Sequence, residues 1–230
     1  MRLGNPGFAL LIASLIGAGS AMPVAAGSGP VNAVADASGG GRGDVATLAL
    51  AYELLALGRE SGDALVVLVA ARMAAGVETA PGSDATLTPG GPDTRDALLP
   101  PPTAEEMFKL AAELAAGDAA MLAMIADQQA EVSRGAIGGV KQWASRIGSG
   151  YTDVWEIAFE GSAPAEVAII GDGQSNLDMV LTDENGNVLC FESSPDDQAY
   201  CDFVPAWDGN FYVSVENTGN DRNTYYLVTN

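Results

Sequence analysis

The stretch from Gly171 to Cys201, GDGQSNLDMVLTDENGNVLCFESSPDDQAYC, constrains this chain more than any other. Leu177, Met179 and Leu181 alternate with Asp178, Val180 and Thr182, the period of two expected of a strand with one buried face. Asn185-Gly186 follows, a pair suited to a tight hairpin turn with positive φ. Asn187 to Phe191 returns as a second strand, and Cys190 and Cys201 lie on either side of the next turn. A lone hairpin is marginal in water, so these strands need others to pack against.

The flanking sequence supplies them. VKQWASRI (140–147) reads as a first strand, and Asp153–Glu160 places Trp155, Ile157 and Phe159 on one face. Ala165–Ile170 and Tyr200–Val204 are further strands. Phe211, Val213 and Val215 alternate with Tyr212, Ser214 and Glu216, and Tyr225–Val228 closes the series. About eight short strands separated by turn signals predict an antiparallel β-sandwich over 140–230.

The first half has a different period. After a Gly/Ser/Ala-rich stretch at 27–43, read as a flexible leader, apolar residues recur at helical spacing: Leu48, Tyr52, Leu55 and Leu50, Leu54, Leu57. Asp44 is expected to be the N-cap of this helix, and Gly58 or Ser61-Gly62 its end. Asp63 caps a second, Ala-rich helix closing at Gly76, which makes a helical hairpin. Residues 77–102 hold six prolines and three glycines and read as an irregular linker. Thr103 and Glu106 form a capping box for a further helical stretch, broken near Gly117-Asp118, with Met107, Leu110, Leu114, Met121, Leu122 and Ile125 as its apolar face. The fold class is therefore α+β by segments, with an Ala-rich helical region (44–134) followed by the sandwich.

Residues 1–26 read as a secretory signal peptide: Arg2, an apolar core from Phe8 to Ile16, then Val24-Ala25-Ala26 as a small-residue cleavage site. The expectation is a secreted or periplasmic protein with no transmembrane segment after cleavage. In an oxidising compartment Cys190 and Cys201 are expected to pair as a disulfide. The formal charge is −20, and residues 151–230 hold fifteen Asp/Glu against Arg222 alone. Such a surface repels phosphate backbones, so nucleic acid is not an expected partner. The chain has no histidine, which excludes His-dependent triads and the usual zinc sites.

Residues 140–230 resemble the bacterial pre-peptidase C-terminal domain. The likeness rests on VWEIAFEG, GDGQSNLDMVLTDENGNVL, PAWDGNFYVSVEN and the terminal YYLVTN, in that order. It implies a jelly-roll-like sandwich appended to secreted enzymes, with calcium bound in some members and insoluble protein or polysaccharide in others. Asn176-Leu177-Asp178 stands where that family usually has Asp-Leu-Asp. Asp172, Asp178 and Asp183 are the candidate calcium ligands, their oxygens suiting a hard cation. The competing reading makes them ordinary turn residues. No catalytic residue or other cofactor is singled out. The expected function is that of an exported, non-enzymatic binding or accessory protein whose sandwich contacts an extracellular or envelope protein or polysaccharide. The alternatives are a carboxylate-dependent hydrolase of cell-wall or extracellular polymer, with two carboxylates about 5–9 Å apart, and a structural envelope protein.

Overall fold

Residues 139–230 lay down eight strands: β3 (Val140–Ile147), β4 (Thr152–Phe159), β5 (Ala165–Ile170), β6 (Leu177–Thr182), β7 (Val188–Glu192), β8 (Gln198–Phe203), β9 (Gly209–Asn217) and β10 (Asn223–Thr229). The structure, a computed structural model, describes residues 27–34, 43–92, 98–131 and 139–230. The signal-peptide reading thus lies outside the described residues.

The pairing is that of one long hairpin rolled into two layers. β6 pairs with β7 at its tip, then β5 with β8, β4 with β9 and β3 with β10, all antiparallel. Further pairs β5–β10 and β6–β9 complete the two sheets, so the strand order is that of a jelly roll. Sheet A holds β3, β10, β5 and β8, and sheet B holds β4, β9, β6 and β7. Between them lie the inward residues that alternation predicts: Trp155, Ile157, Phe159, Leu177, Met179, Leu181, Phe211, Val213 and Val215, all buried. Phe159, Phe203 and Phe211 pack edge-on or tilted at centroid distances of 5.0–5.7 Å.

The linker is not wholly irregular. Thr79–Pro81 (β1) adds in parallel to β3, and Thr86–Thr88 (β2) adds antiparallel to β4. The segment thereby crosses from one sheet to the other and closes one side of the sandwich. Pro81 is tolerated because an edge strand leaves one row of N–H groups without ladder partners. Beyond β2, Gly90 donates to Asp153 at 3.1 Å. A Cβ at Gly90 would stand 2.0 Å from the Thr152 carbonyl oxygen, so only glycine lets the linker lie this close.

Among the described residues four helices precede the sandwich: α1 (Asp44–Ser61), α2 (Ala64–Ala75), α3 (Ala104–Leu114) and α4 (Ala119–Glu131). Gly58 does not end α1. It is the close-contact point of the α1–α2 hairpin, where a Cβ would meet Val67 at 2.6 Å, and the helix stops instead at Gly62 in the left-handed region (φ 67°). Asp63 caps α2 and the Thr103–Glu106 capping box forms on α3. Leu122, placed on the apolar face by its spacing, is 38 % exposed.

Asp44 is not the N-cap of α1. Gly43 takes that position with no side-chain cap of its own. The acceptor comes from the sheet: Glu166 on β5 receives Gly43 N–H at 3.2 Å and Val45 N–H at 3.4 Å, and Tyr200 donates its hydroxyl to the same carboxylate. A buried carboxylate thus serves the positive end of α1. The helices cover the outer face of sheet A through Val140, Ala168, Ile170 and Val228, with the Tyr52 and Tyr226 rings tilted against each other at a centroid distance of 6.0 Å. Burial pushes the Tyr52 phenol up to about 12, against a hydrogen bond from Gln142. The molecule is therefore three layers, helices on sheet A on sheet B, with a core on each side of sheet A.

Candidate functional site

The hairpin tip between β6 and β7 is built around Asp183. Gly186 N–H donates to the Asp183 carbonyl at 3.0 Å, Asp183 N–H donates to the Asn187 carbonyl at 3.0 Å, and Gly186 takes φ 79°. This is a three-residue loop with glycine alone in the left-handed region, not the two-residue turn that Asn-Gly suggests. The Asp183 side chain is fully buried. One oxygen accepts Asn185 N–H (2.9 Å) and Asn187 N–H (2.8 Å). The other accepts Asn187 Nδ2 (2.8 Å) and Asn32 N–H (2.8 Å). Burial would raise this carboxyl, but the donors from Asn187, Asn32 and Asn185 outweigh it and hold it below its usual value.

Asn32 belongs to the segment read from sequence as a free leader. Residues 27–34 instead lie across the hairpin tip and the β8–β9 turn. Asn32 is wholly buried. Its Nδ2 donates to Glu184 at 3.1 Å and to the Trp207 carbonyl at 3.1 Å, and its Oδ1 accepts Ala206 N–H (2.9 Å) and Trp207 N–H (3.0 Å). Asn185 and Asn187 donate their side-chain amides to the Pro30 carbonyl at 2.9 and 3.1 Å, and Val34 N–H reaches the Val204 carbonyl at 2.8 Å. Nothing in local spacing signals this: the partners are about 150 to 175 positions apart.

The three calcium candidates do not converge. Asp178 and Asp183 stand at opposite ends of β6, five residues or roughly 17 Å apart along a strand. Asp183 already accepts four N–H donors. Asp172, in the β5–β6 loop, accepts from Gln174 N–H (3.2 Å) and Thr224 N–H (3.0 Å), and Asp178 from Asn176 (3.1 Å) and Thr218 (3.3 Å). The first carboxylate missing from Asn176-Leu177-Asp178 is thus replaced by an amide that donates to Asp178 itself. Among the described residues no group of three or more His, Cys, Asp or Glu is placed to hold a metal ion.

Cys190 lies on β7 and Cys201 on β8, the outermost strands of sheets B and A on the side away from the linker. Both are thiols here. Cys190 Sγ contacts the Tyr200 carbonyl at 3.9 Å, which brings it beside its partner across the open side of the sandwich. The hydrogen bond from Cys201 draws the Cys190 thiol down, while the same contact and burial push Cys201 up.

A further polar cluster lies inside the sandwich. Asp153 accepts Ser145 Oγ (3.0 Å) and Tyr225 Oη (2.8 Å), and Trp155 Nε1 donates to the Tyr225 hydroxyl at 2.8 Å. With Gly90 N–H it is fully partnered, beside a cavity of about 100 Å³. Its role is to anchor the linker across the rim.

Of the aromatics, Trp207 (38 % exposed) gives its indole N–H to Glu184, and Tyr200 serves Glu166. Tyr212 projects from the outer face of sheet B in one row with Glu156 and Thr182, while Val180, Ser214 and Phe191 form the next row. Phe191 is 60 % exposed. Among the described residues no element covers this face, in contrast to sheet A.

No helix among the described residues is long and apolar enough to cross a membrane. No family model and no curated protein matches the chain. Among solved structures, the pre-peptidase C-terminal domain of a collagenase from Bacillus anthracis is similar at 18% identity, covering 39% of this chain and 87% of that one, with a TM-score of 0.33. PliG, a periplasmic inhibitor of g-type lysozyme from Aeromonas hydrophila, is similar at 13% identity over 42% of this chain and 90% of that one, TM-score 0.28. The β-sandwich itself rests on the strand pairing above.

Proposed function

We propose that this is an exported, non-enzymatic binding or accessory protein, its sandwich a pre-peptidase C-terminal-like module that meets an envelope or extracellular protein or polysaccharide through the outer face of sheet B. The observation that supports it is the asymmetry of the two outer faces. Helices cover sheet A, whereas sheet B presents Val154, Val180, Phe191 and Tyr212 with Asp178, Glu156 and Glu216 beside them. Apolar and aromatic surface next to carboxylates suits a partner carrying amines or other cationic groups. Export would carry Cys190 and Cys201 into an oxidising compartment, where their bond would close the open side of the sandwich.

Co-sedimentation of the full chain with isolated envelope and with purified cell-wall polymer tests this reading. Binding should fall at least about tenfold in a Phe191→Ser, Tyr212→Ser double variant, and it should weaken as salt rises from 0.05 to 0.5 M on this acidic face, by the order of a Debye-screening effect. Binding untouched by the double variant would overturn it.

A further inference from the structure

The cleft that holds residues 27–34 is closed by bonds in which the segment takes no part. The hairpin tip is closed by its own bonds, Gly186 to Asp183, Asp183 to Asn187, and the Asp183 carboxylate to Asn185 and Asn187. Trp207 is fixed to Glu184 at 2.6 Å across the gap between the two turns. None of these contacts involves the segment. The segment meets the Asp183 oxygen that also accepts Asn187 Nδ2, the Asn185 and Asn187 amides, the Glu184 carboxylate, the N–H groups of Ala206 and Trp207, and the carbonyls of Trp207 and Val204.

The segment answers them almost wholly with backbone and one side chain. Pro30 contributes a carbonyl, Asn32 its N–H and its entire amide, Val34 its N–H. Val31 and Val34 stay 52 % and 45 % exposed. The cleft therefore reads a neutral amide two residues after a bound backbone carbonyl and leaves the side chain between them exposed. It should reject aspartate at the amide position, where a carboxylate would face Glu184 and leave the Trp207 carbonyl without a donor.

We propose that this cleft is a recognition site for an extended peptide bearing an asparagine two residues after a backbone carbonyl that the Asn185 and Asn187 amides bind, occupied here in cis by residues 27–34. Groups held in place by bonds of their own bind an added peptide at a lower ordering cost than a free loop does. The site lies at the loop ends of the sandwich, and the proposal is independent of what sheet B meets.

The probe is a labelled synthetic peptide of residues 27–34, GSGPVNAV, titrated into three proteins: the full chain, the full chain carrying Asn32→Ala, and a chain lacking residues 1–34. The wild-type cleft is filled, so the peptide should bind both altered chains at least about tenfold more tightly than wild type. Saturating peptide should return the melting temperature that each has lost. The peptide with Asn32→Asp should bind neither. If the shortened chain does not fold, by near-ultraviolet circular dichroism, Asn32→Ala alone decides. A folded Asn32→Ala chain that ignores the peptide, or takes the aspartate peptide equally well, overturns the proposal.

Discussion

Single carboxylates hold this molecule together at points that the sequence does not connect. Glu166→Ala leaves the Gly43 and Val45 N–H groups and the Tyr200 hydroxyl without their acceptor, at an expected cost of about 2–3 kcal/mol in urea unfolding. Glu166→Gln keeps one acceptor oxygen and should cost about half as much. Asp183 adds a pH dependence. Its folded pKa lies below its unfolded value of 3.8, so it contributes stability that is full above that value and lost as pH falls through the folded pKa. Asp183→Asn should therefore be less stable than wild type at pH 7, and the gap should narrow as pH drops below about 4. A gap constant from pH 7 to pH 3 would contradict that assignment. The caps at Asp63 and Thr103 were legible because donor and acceptor sit two or three residues apart. Glu166 and Asn32 were not, since each acts across more than a hundred residues.

At the scale of elements, period two was readable wherever one face is buried and the other wet, as in β4, β6 and β9. It fails in β5, where all six residues of AEVAII are buried because helices lie on one side and sheet B on the other. β1 and β2 were hidden for another reason: three residues each, in a Pro/Gly-rich context, carry no periodic signal. These two strands close one side of the sandwich, and the cysteines face each other on the other side. Joining them would close a loop of about eleven residues and add roughly 2–3 kcal/mol. Protein taken from an oxidising compartment should titrate no free thiol when denatured and should melt several degrees lower after reduction. Two free thiols in that preparation would sink the pairing. Gly58→Val tests the helical hairpin: a branched side chain against Val67 should separate α1 from α2 and cost about 2–3 kcal/mol.

For the whole molecule, the sequence placed a helical half before a β half but was silent on how they meet. That contact decides whether the sandwich is a domain that stands alone. Stripped of residues 27–138, sheet A would expose Val140, Ala168, Ile170, Val228 and Tyr226, side chains that now form one core with α1, α2 and α3. Each large apolar group returned to water costs about 1.5–3 kcal/mol, and as one patch they invite self-association. Residues 139–230 alone should therefore run as dimers or larger species in sedimentation velocity, while the full chain sediments as a smaller species per mass of sandwich. Ile170→Lys with Val228→Thr on the shortened chain should restore a monomer, because both side chains lie on the face that removing the helices lays bare. A shortened chain that is monomeric without those changes, and as stable as its parent, would mean that the helices rest on the sandwich without completing it.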